Sequence, residues 1–86
     1  MDQRGYEILA GYNRSQKELL ELRSYILGLL STNEHRIEVL ERDYKNEGTQ
    51  ILKIKCINVG YRTIADEISV RVDELKRKAF ALTRDE

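Results

Sequence analysis

The feature that most restricts the fold is a run of residues spaced alternately four and three apart near the start of the chain. Steps of four and three keep residues on one side of an α-helix, because two helical turns take about seven residues. Within residues 4–30 this run comprises Ile8, Tyr12, Ser15, Leu19, Leu22, Ile26 and Leu29. Leucines beside it widen the stripe, so the pattern predicts an amphipathic helix whose apolar residues form a packing or dimer seam.

Composition agrees with an all-α fold. Charged residues make up 35% of the 86-residue chain and aromatic residues 7%, and the sequence contains no Trp and no Pro. This balance is typical of a soluble helical protein rather than a β-sandwich or a disordered tail. The length predicts a single domain spanning residues 1–86. A domain of this size has a thin stability margin, so we expect a homodimer.

The first helix is expected to end where polar residues interrupt the apolar spacing. Ser31 and Glu34 match a capping box, which predicts that a second helix starts there. Ile37 and Leu40 continue that helix until Asn46, Glu47 and Gly48 supply a stop. Two helices joined by so short a turn predict an antiparallel hairpin over residues 4–46.

Residues 49–59 allow two interpretations. Leu52, Ile54 and Cys56 alternate with lysines as in a half-buried strand. A lone strand would leave its backbone groups unpaired, however, and the sequence offers no partner strand. The helical interpretation is therefore favoured. It places Leu52, Cys56 and Val59 on one face, with Ile51 and Ile54 nearby, and Gly60 just past the helix end.

The stretch YRTIADEISVRVDELKRKAF, residues 61–80, has the spacing of a helix-turn-helix. Its first helix would be packed through Ile64, Ala65 and Ile68, with Ser69 at the corner and Val70 filling the space between the helices. The buried stripe of the second helix would be Leu75, Ala79 and Leu82. Residues 49–83 are thus expected to form a three-helix unit with a recognition helix at about 72–82.

Within this region the sequence IADEISVRVDELKRKAFAL resembles the helix-turn-helix of sigma factor region four and of the small phage-type sigma-like regulators of the ArpU and RinA groups. The preceding ILKIKCINVGY is similar to the helix before that motif, so the resemblance covers about residues 50–82. It implies a prophage or mobile-element transcriptional regulator that binds double-stranded DNA.

The resemblance also implies which residues would touch DNA. By position on the second helix, the candidates for base contact are Arg71, Asp73, Glu74, Arg77 and Lys78. Arg77 is the preferred one, because a guanidinium can grip guanine with two hydrogen bonds. The candidates for backbone contact are Lys53, Lys55, Arg62, Lys76 and Arg84, with Lys78 also available.

A second function class fits the sequence as well. Fifteen basic and fifteen acidic residues cancel, and Asp73 and Glu74 would repel phosphate. The alternative is therefore a helical protein-interaction module that binds a host protein, such as a replication initiator, a sigma factor or RNA polymerase.

Other classes are not indicated. His35 lacks the neighbours of a metal ligand, and neither a cofactor motif nor a catalytic arrangement stands out, so we expect no metal, no cofactor and no enzyme. A single cysteine, Cys56, is interpreted as a buried apolar residue in a cytoplasmic protein. No apolar run is long enough to predict a membrane span.

Overall fold

A computed structural model of the protein describes residues 1–43 and 48–84, and nearly all of them belong to two long α-helices. Helix α1 spans Gln3–Asp43 and helix α2 spans Gly48–Thr83. The two run antiparallel and form a rod of 64 × 14 × 13 Å. The prediction of an all-α fold is confirmed. Neither helix contains, in the described residues, a stretch long and apolar enough to cross a membrane.

Helix α1 begins at a side-chain cap. A carboxylate oxygen of Asp2 accepts a hydrogen bond from the backbone N–H of Gly5 at 2.8 Å, and the Asp2 carbonyl accepts one from the N–H of Tyr6. The cap satisfies backbone donors that the first helical turn leaves without partners.

The helices pack along a seam of buried and half-buried residues spaced three and four apart. On α1 these are Leu9, Tyr12, Gln16, Leu19, Arg23, Ile26, Leu30, Asn33, Ile37 and Leu40. On α2 they are Ile51, Ile54, Asn58, Tyr61, Ala65, Ile68, Val72, Leu75, Ala79 and Leu82. This spacing continues without interruption along both helices and is that of an antiparallel two-stranded coiled coil.

The centre of the seam is an aliphatic cluster. Ile26 of α1 meets Ala65, Ile68 and Val72 of α2 there. The half-buried side chains packed around them are Leu19, Leu27 and Tyr61. The methyl side chain of Ala65 lets the larger Ile26 fit between the helices. Ala65 and Val72 expose only 3% of their surfaces, so this cluster is the main hydrophobic contribution to pairing.

The predicted break at Ser31 to Asn33 is wrong, because α1 continues through it. The polar residues there find partners inside a helix. The Thr32 hydroxyl donates to the carbonyl of Gly28 at 3.0 Å, and Asn33 turns into the seam. Ser and Thr can either cap a helix or bond back to the preceding turn, and here the second option prevails.

The predicted helix-turn-helix is also wrong, since α2 passes through Ser69 and Val70 as one continuous helix. The Ser69 hydroxyl donates to the carbonyl of Ala65 at 3.1 Å, as in a regular helix. Val70, expected to be buried, is exposed, and so is Ile64. Ala65, Ile68 and Leu75 are buried as predicted, because both arrangements place them on the inner stripe.

For residues 49–59 the helical interpretation is confirmed over the strand. The face assigned to it is wrong, however. Leu52, Cys56 and Val59 are exposed, whereas Ile54 and Asn58 are buried. Gly60 lies inside α2 rather than at a helix end. Of the predicted stop at 46–48, Gly48 starts α2 and the other two residues lie outside the described ranges.

Candidate interaction surfaces

Two polar pairs interrupt the apolar seam. The amide Nδ2 of Asn33 donates to Oδ1 of Asn58 at 3.1 Å, and Asn58 is only 3% exposed. Farther along, Nε of Arg23 donates to the Ser69 hydroxyl at 2.9 Å. Among the described residues, no buried side-chain nitrogen or oxygen lacks a hydrogen-bond partner. These polar groups therefore bond to each other within the helix pair and are not available to a ligand. The two sides of the rod are the remaining candidate interaction surfaces.

One side of the rod is bridged by ion pairs between the helices, and we call it the ion-pair side. Nη2 of Arg62 lies 2.7 Å from Oε1 of Glu34, and Nζ of Lys55 lies 3.4 Å from Oε1 of Glu41. A shallow groove on this side is lined by both residues of the first pair, by Lys55 and by Ile37, Asn58 and Val59. In this register, opposite charges on the two helices face each other on this side.

These exposed ion pairs are expected to contribute little stability. A double-mutant cycle on Glu34→Ala and Arg62→Ala should give a coupling energy of about 0.5 kcal/mol, because solvent screens exposed pairs. Chemical denaturation of the four proteins at low and high salt measures it, and the coupling should shrink at high salt. A coupling above about 2 kcal/mol would contradict this assignment and indicate a desolvated pair.

The opposite side of the rod, which we call the apolar side, consists of Leu22, Tyr25, Leu29, Ile57 and Ile64. Leu22 of α1 and Arg71 of α2 line one groove, so these two residues lie on the same side of the rod. Steps of seven residues keep the same side of a helix. Leu29 therefore follows Leu22 on α1, while Ile64 and Ile57 precede Arg71 on α2.

The apolar side is open to solvent. Leu22, Tyr25, Ile57 and Ile64 are all exposed, and Leu29 is half-buried. From the level of Leu22 to that of Ile57 the side extends about 20 Å, the length of some 14 helical residues. Charged residues flank it, with Arg71 at one end and Glu67 at the edge. An apolar centre with a charged border is typical of a protein-binding surface.

The five residues predicted to contact bases do not lie at the start of a separate recognition helix. They face outward near the end of α2 and spread over an arc of about 160°. Nη1 of Arg71 donates to Oε2 of Glu74 at 3.0 Å within the helix. Asp73, Arg77 and Lys78 are exposed beside them. In a helix-turn-helix the N-terminal end of the recognition helix enters the major groove of DNA. The described residues contain no helix that starts in this region.

The residues predicted to contact the DNA backbone are not brought together either. Lys53 and Arg84 lie about 46 Å apart along α2, at 1.5 Å per residue. Lys55 and Arg62 are engaged in the ion pairs with α1. Lys76 is exposed on α2. These cations therefore form scattered points along the rod rather than one basic surface.

The predicted packing or dimer seam of α1 divides between two surfaces. Its members Tyr12, Leu19 and Ile26 face α2, with Ile26 buried. Leu22 and Leu29 instead lie on the apolar side, and Ile8 is exposed at the same helical position toward the chain start. From the sequence spacing alone, these two sets form a single stripe.

Neither Tyr25 nor Ile57 was predicted to belong to an interaction surface, and Ile64 was predicted to lie in the core. A usable signal was present. Once the uninterrupted spacing Ala65, Ile68, Val72, Leu75 is assigned to the seam, Ile64 falls just outside it. An aliphatic residue immediately beside a filled seam indicates a second packing surface.

Among the described residues, no three His, Cys, Asp or Glu side chains are grouped so that they could hold a metal ion. His35 lies on the surface with Nδ1 3.9 Å from Oε2 of Glu38. Cys56, predicted to be buried, is exposed on α2.

Comparison of the chain with protein-family models, with curated proteins and with solved structures finds no significant match.

Proposed function

We propose that the protein is a helical protein-interaction module that binds through its apolar side. The observation that carries the proposal is the exposed strip of Leu22, Tyr25, Ile57 and Ile64 between two helices that already have a filled seam. Burying such side chains against a partner removes apolar surface from water, at about 25 cal/mol per Å². A surface of this kind therefore favours association.

The shape of the surface suits a helical partner. The groove that contains Leu22 is walled by α1 on one side and α2 on the other. A third helix laid along such a groove packs its side chains against ridges on both helices. Leu19 and Leu75 lie at the bottom of this groove and would be covered as well.

Charge favours a protein partner over DNA. The chain has a net charge of zero, and the cations predicted to contact the DNA backbone are spread along the rod, two of them in ion pairs with α1. Binding to DNA draws much of its affinity from several clustered cations that displace counterions. The partner class proposed for such a module is a host transcription or replication protein in the cytoplasm. DNA reading through the exposed Arg77 and Lys78 is the competing function.

Site-specific photo-crosslinking in cells tests the proposal. A photoreactive amino acid at Tyr25, in the middle of the apolar side, is expected to crosslink to a protein. The same amino acid at Ser31, which is exposed about 120° away around α1, is the matched control and is expected to give none. Equal crosslinking at both positions would contradict the surface assignment.

Fluorescence anisotropy with DNA fragments tests the competing function. Under DNA reading, affinity should fall steeply with salt, Arg77→Ala should relax base preference, and Lys53→Ala should weaken all sequences alike. We expect no binding that meets these criteria. Salt-sensitive DNA binding with these variant effects, together with no crosslink at Tyr25, would overturn the protein-interaction proposal.

A further inference from the structure

We infer that a second copy of this chain covers the apolar side, so that two rods pack face to face as a four-helix assembly. The inference rests on the proposed function and names its first partner. It concerns the same strip, Leu22, Tyr25, Leu29, Ile57 and Ile64, which would meet its counterpart around a two-fold axis. In such an interface each copy presents the same surface.

The exposed area supports this occupant. The single chain exposes 6561 Å². A compact monomer of its mass, 10.1 kDa, is expected to expose about 5,300 Å². The excess of about 1,300 Å² per chain is larger than the roughly 800 Å² per partner that a specific interface of standard size buries. A second copy would therefore remove the surplus surface that the rod shape creates.

The single contact between helices in the rod also supports a second copy on the apolar side. Domains are built from packed layers, and a two-helix rod has only one contact between helices. Its most buried aliphatic side chains, Ala65 and Val72, belong to that one seam. Pairing two rods through the apolar side adds a second contact. Four-helix bundles are a stable solution of this kind.

Charge permits self-association. Two copies of a chain with a net charge of zero do not repel each other at long range. At the apolar side itself, the aliphatic centre would be excluded from water. Glu67 and Arg71 at its border would stay in contact with water. A border of this kind is usual around the apolar core of an interface.

Sedimentation equilibrium from micromolar to submillimolar protein tests the inference. The wild-type chain is expected to show twice the 10.1 kDa of the monomer. Leu22→Lys should weaken the dimer on the order of 100-fold, because it buries a charge at the interface. Leu20→Lys is the matched control: Leu20 and Leu22 are 46% and 47% exposed but lie on opposite sides of α1. Leu20→Lys should leave the measured mass at that of the dimer.

A second pair on α2 repeats the test. Ile64→Lys should dissociate the dimer, and Val70→Lys, about 120° away around α2, should not. Circular dichroism checks that all four variants remain helical. A wild-type chain that stays monomeric at the highest concentration overturns the inference. Equal dissociation by Leu20→Lys and Leu22→Lys overturns it too, because the interface would then lie elsewhere.

The crosslinking and sedimentation results together distinguish failure of this inference from failure of the proposed function. A monomeric chain that still crosslinks to another protein at Tyr25 would leave the interaction module standing and remove only the second copy. A dimer whose Tyr25 crosslinks solely to its own copy would support the inference, and it would show that the apolar side is not available to a host protein.

Discussion

Val72→Asn is expected to lower the free energy of unfolding by about 3 kcal/mol, whereas Val70→Asn should change it by less than about 0.5 kcal/mol. The two valines are two residues apart and receive the same substitution. Val and Asn have similar helix propensities, so the difference isolates burial. Val72 is 3% exposed in the central cluster, and Val70 is 58% exposed on the outside of α2.

The cost at Val72 has two parts. The substitution removes two buried methyl groups from contact with the aliphatic cluster of Ile26, Ala65 and Ile68. It also places an amide among side chains that offer it no hydrogen-bond partner, and an unsatisfied buried amide costs about 1–3 kcal/mol. For a domain with a thin stability margin this loss should lower the midpoint of thermal unfolding strongly.

Thermal and chemical denaturation followed by circular dichroism measure this difference. The experiment also separates two folds. In a helix-turn-helix Val70 would fill the space between the helices and would be the sensitive position. A larger loss for Val70→Asn than for Val72→Asn would contradict the continuous α2.

The second large effect is expected at the pair formed by the half-buried Asn33 and the buried Asn58. Replacing both Asn33 and Asn58 by Leu should raise the free energy of unfolding by roughly 2–3 kcal/mol, since two aliphatic side chains would fill that level of the seam. Asn58→Leu alone should give no such gain, because it leaves the Asn33 amide without its 3.1 Å partner.

The more stable double variant is expected to lose its single helix register. In the native register the two asparagines meet each other. A shift of one helix by seven residues keeps the apolar spacing in phase, but it would set Asn58 against Ile26 or Leu40. Such a mismatch is unfavourable for an amide, and a polar pair at one level therefore selects one register.

Nuclear magnetic resonance and denaturation test both parts. The double variant should be more stable and should show extra sets of backbone amide signals, from shifted or exchanged helices. Asn13→Leu, at an exposed position of α1, is the control and should stay within about 0.5 kcal/mol of the wild type. A double variant with one set of signals would contradict the role in register.

The candidate surface was only partly predictable. Leu22 and Leu29 were singled out from the sequence, but as members of the same stripe as Leu19 and Ile26. Spacing of three and four identifies a row of residues on a helix, yet two adjacent rows both satisfy it when both are apolar. Which row faces α2 depends on where the partner helix lies. Only the packing of α2 against Ile26 places Leu22 outside.

The residues predicted to read DNA show a different limit. Arg77 and Lys78 were assigned by their positions on the exposed face of a second helix, which was expected to follow a corner at Ser69. Serine can end a helix or donate to the carbonyl four residues earlier, and its sequence neighbourhood does not decide between these states. With α2 continuous, the same residues are ordinary surface positions of a long helix.

Local sequence is sufficient for the helical class of this protein. The absence of proline, the charged composition and the spacing of Ala65, Ile68 and Leu75 all favour helices, because these depend on backbone and side-chain preferences within a few turns. Whether the chain turns at Asn33 or at Ser69 depends on a contact between residues far apart in sequence. Pairing of α1 with α2 along their lengths gives both residues partners across the seam, Asn58 for one and Arg23 for the other. The tertiary structure therefore decided the length of the helices, their register and the side left exposed, since those depend on which surfaces meet.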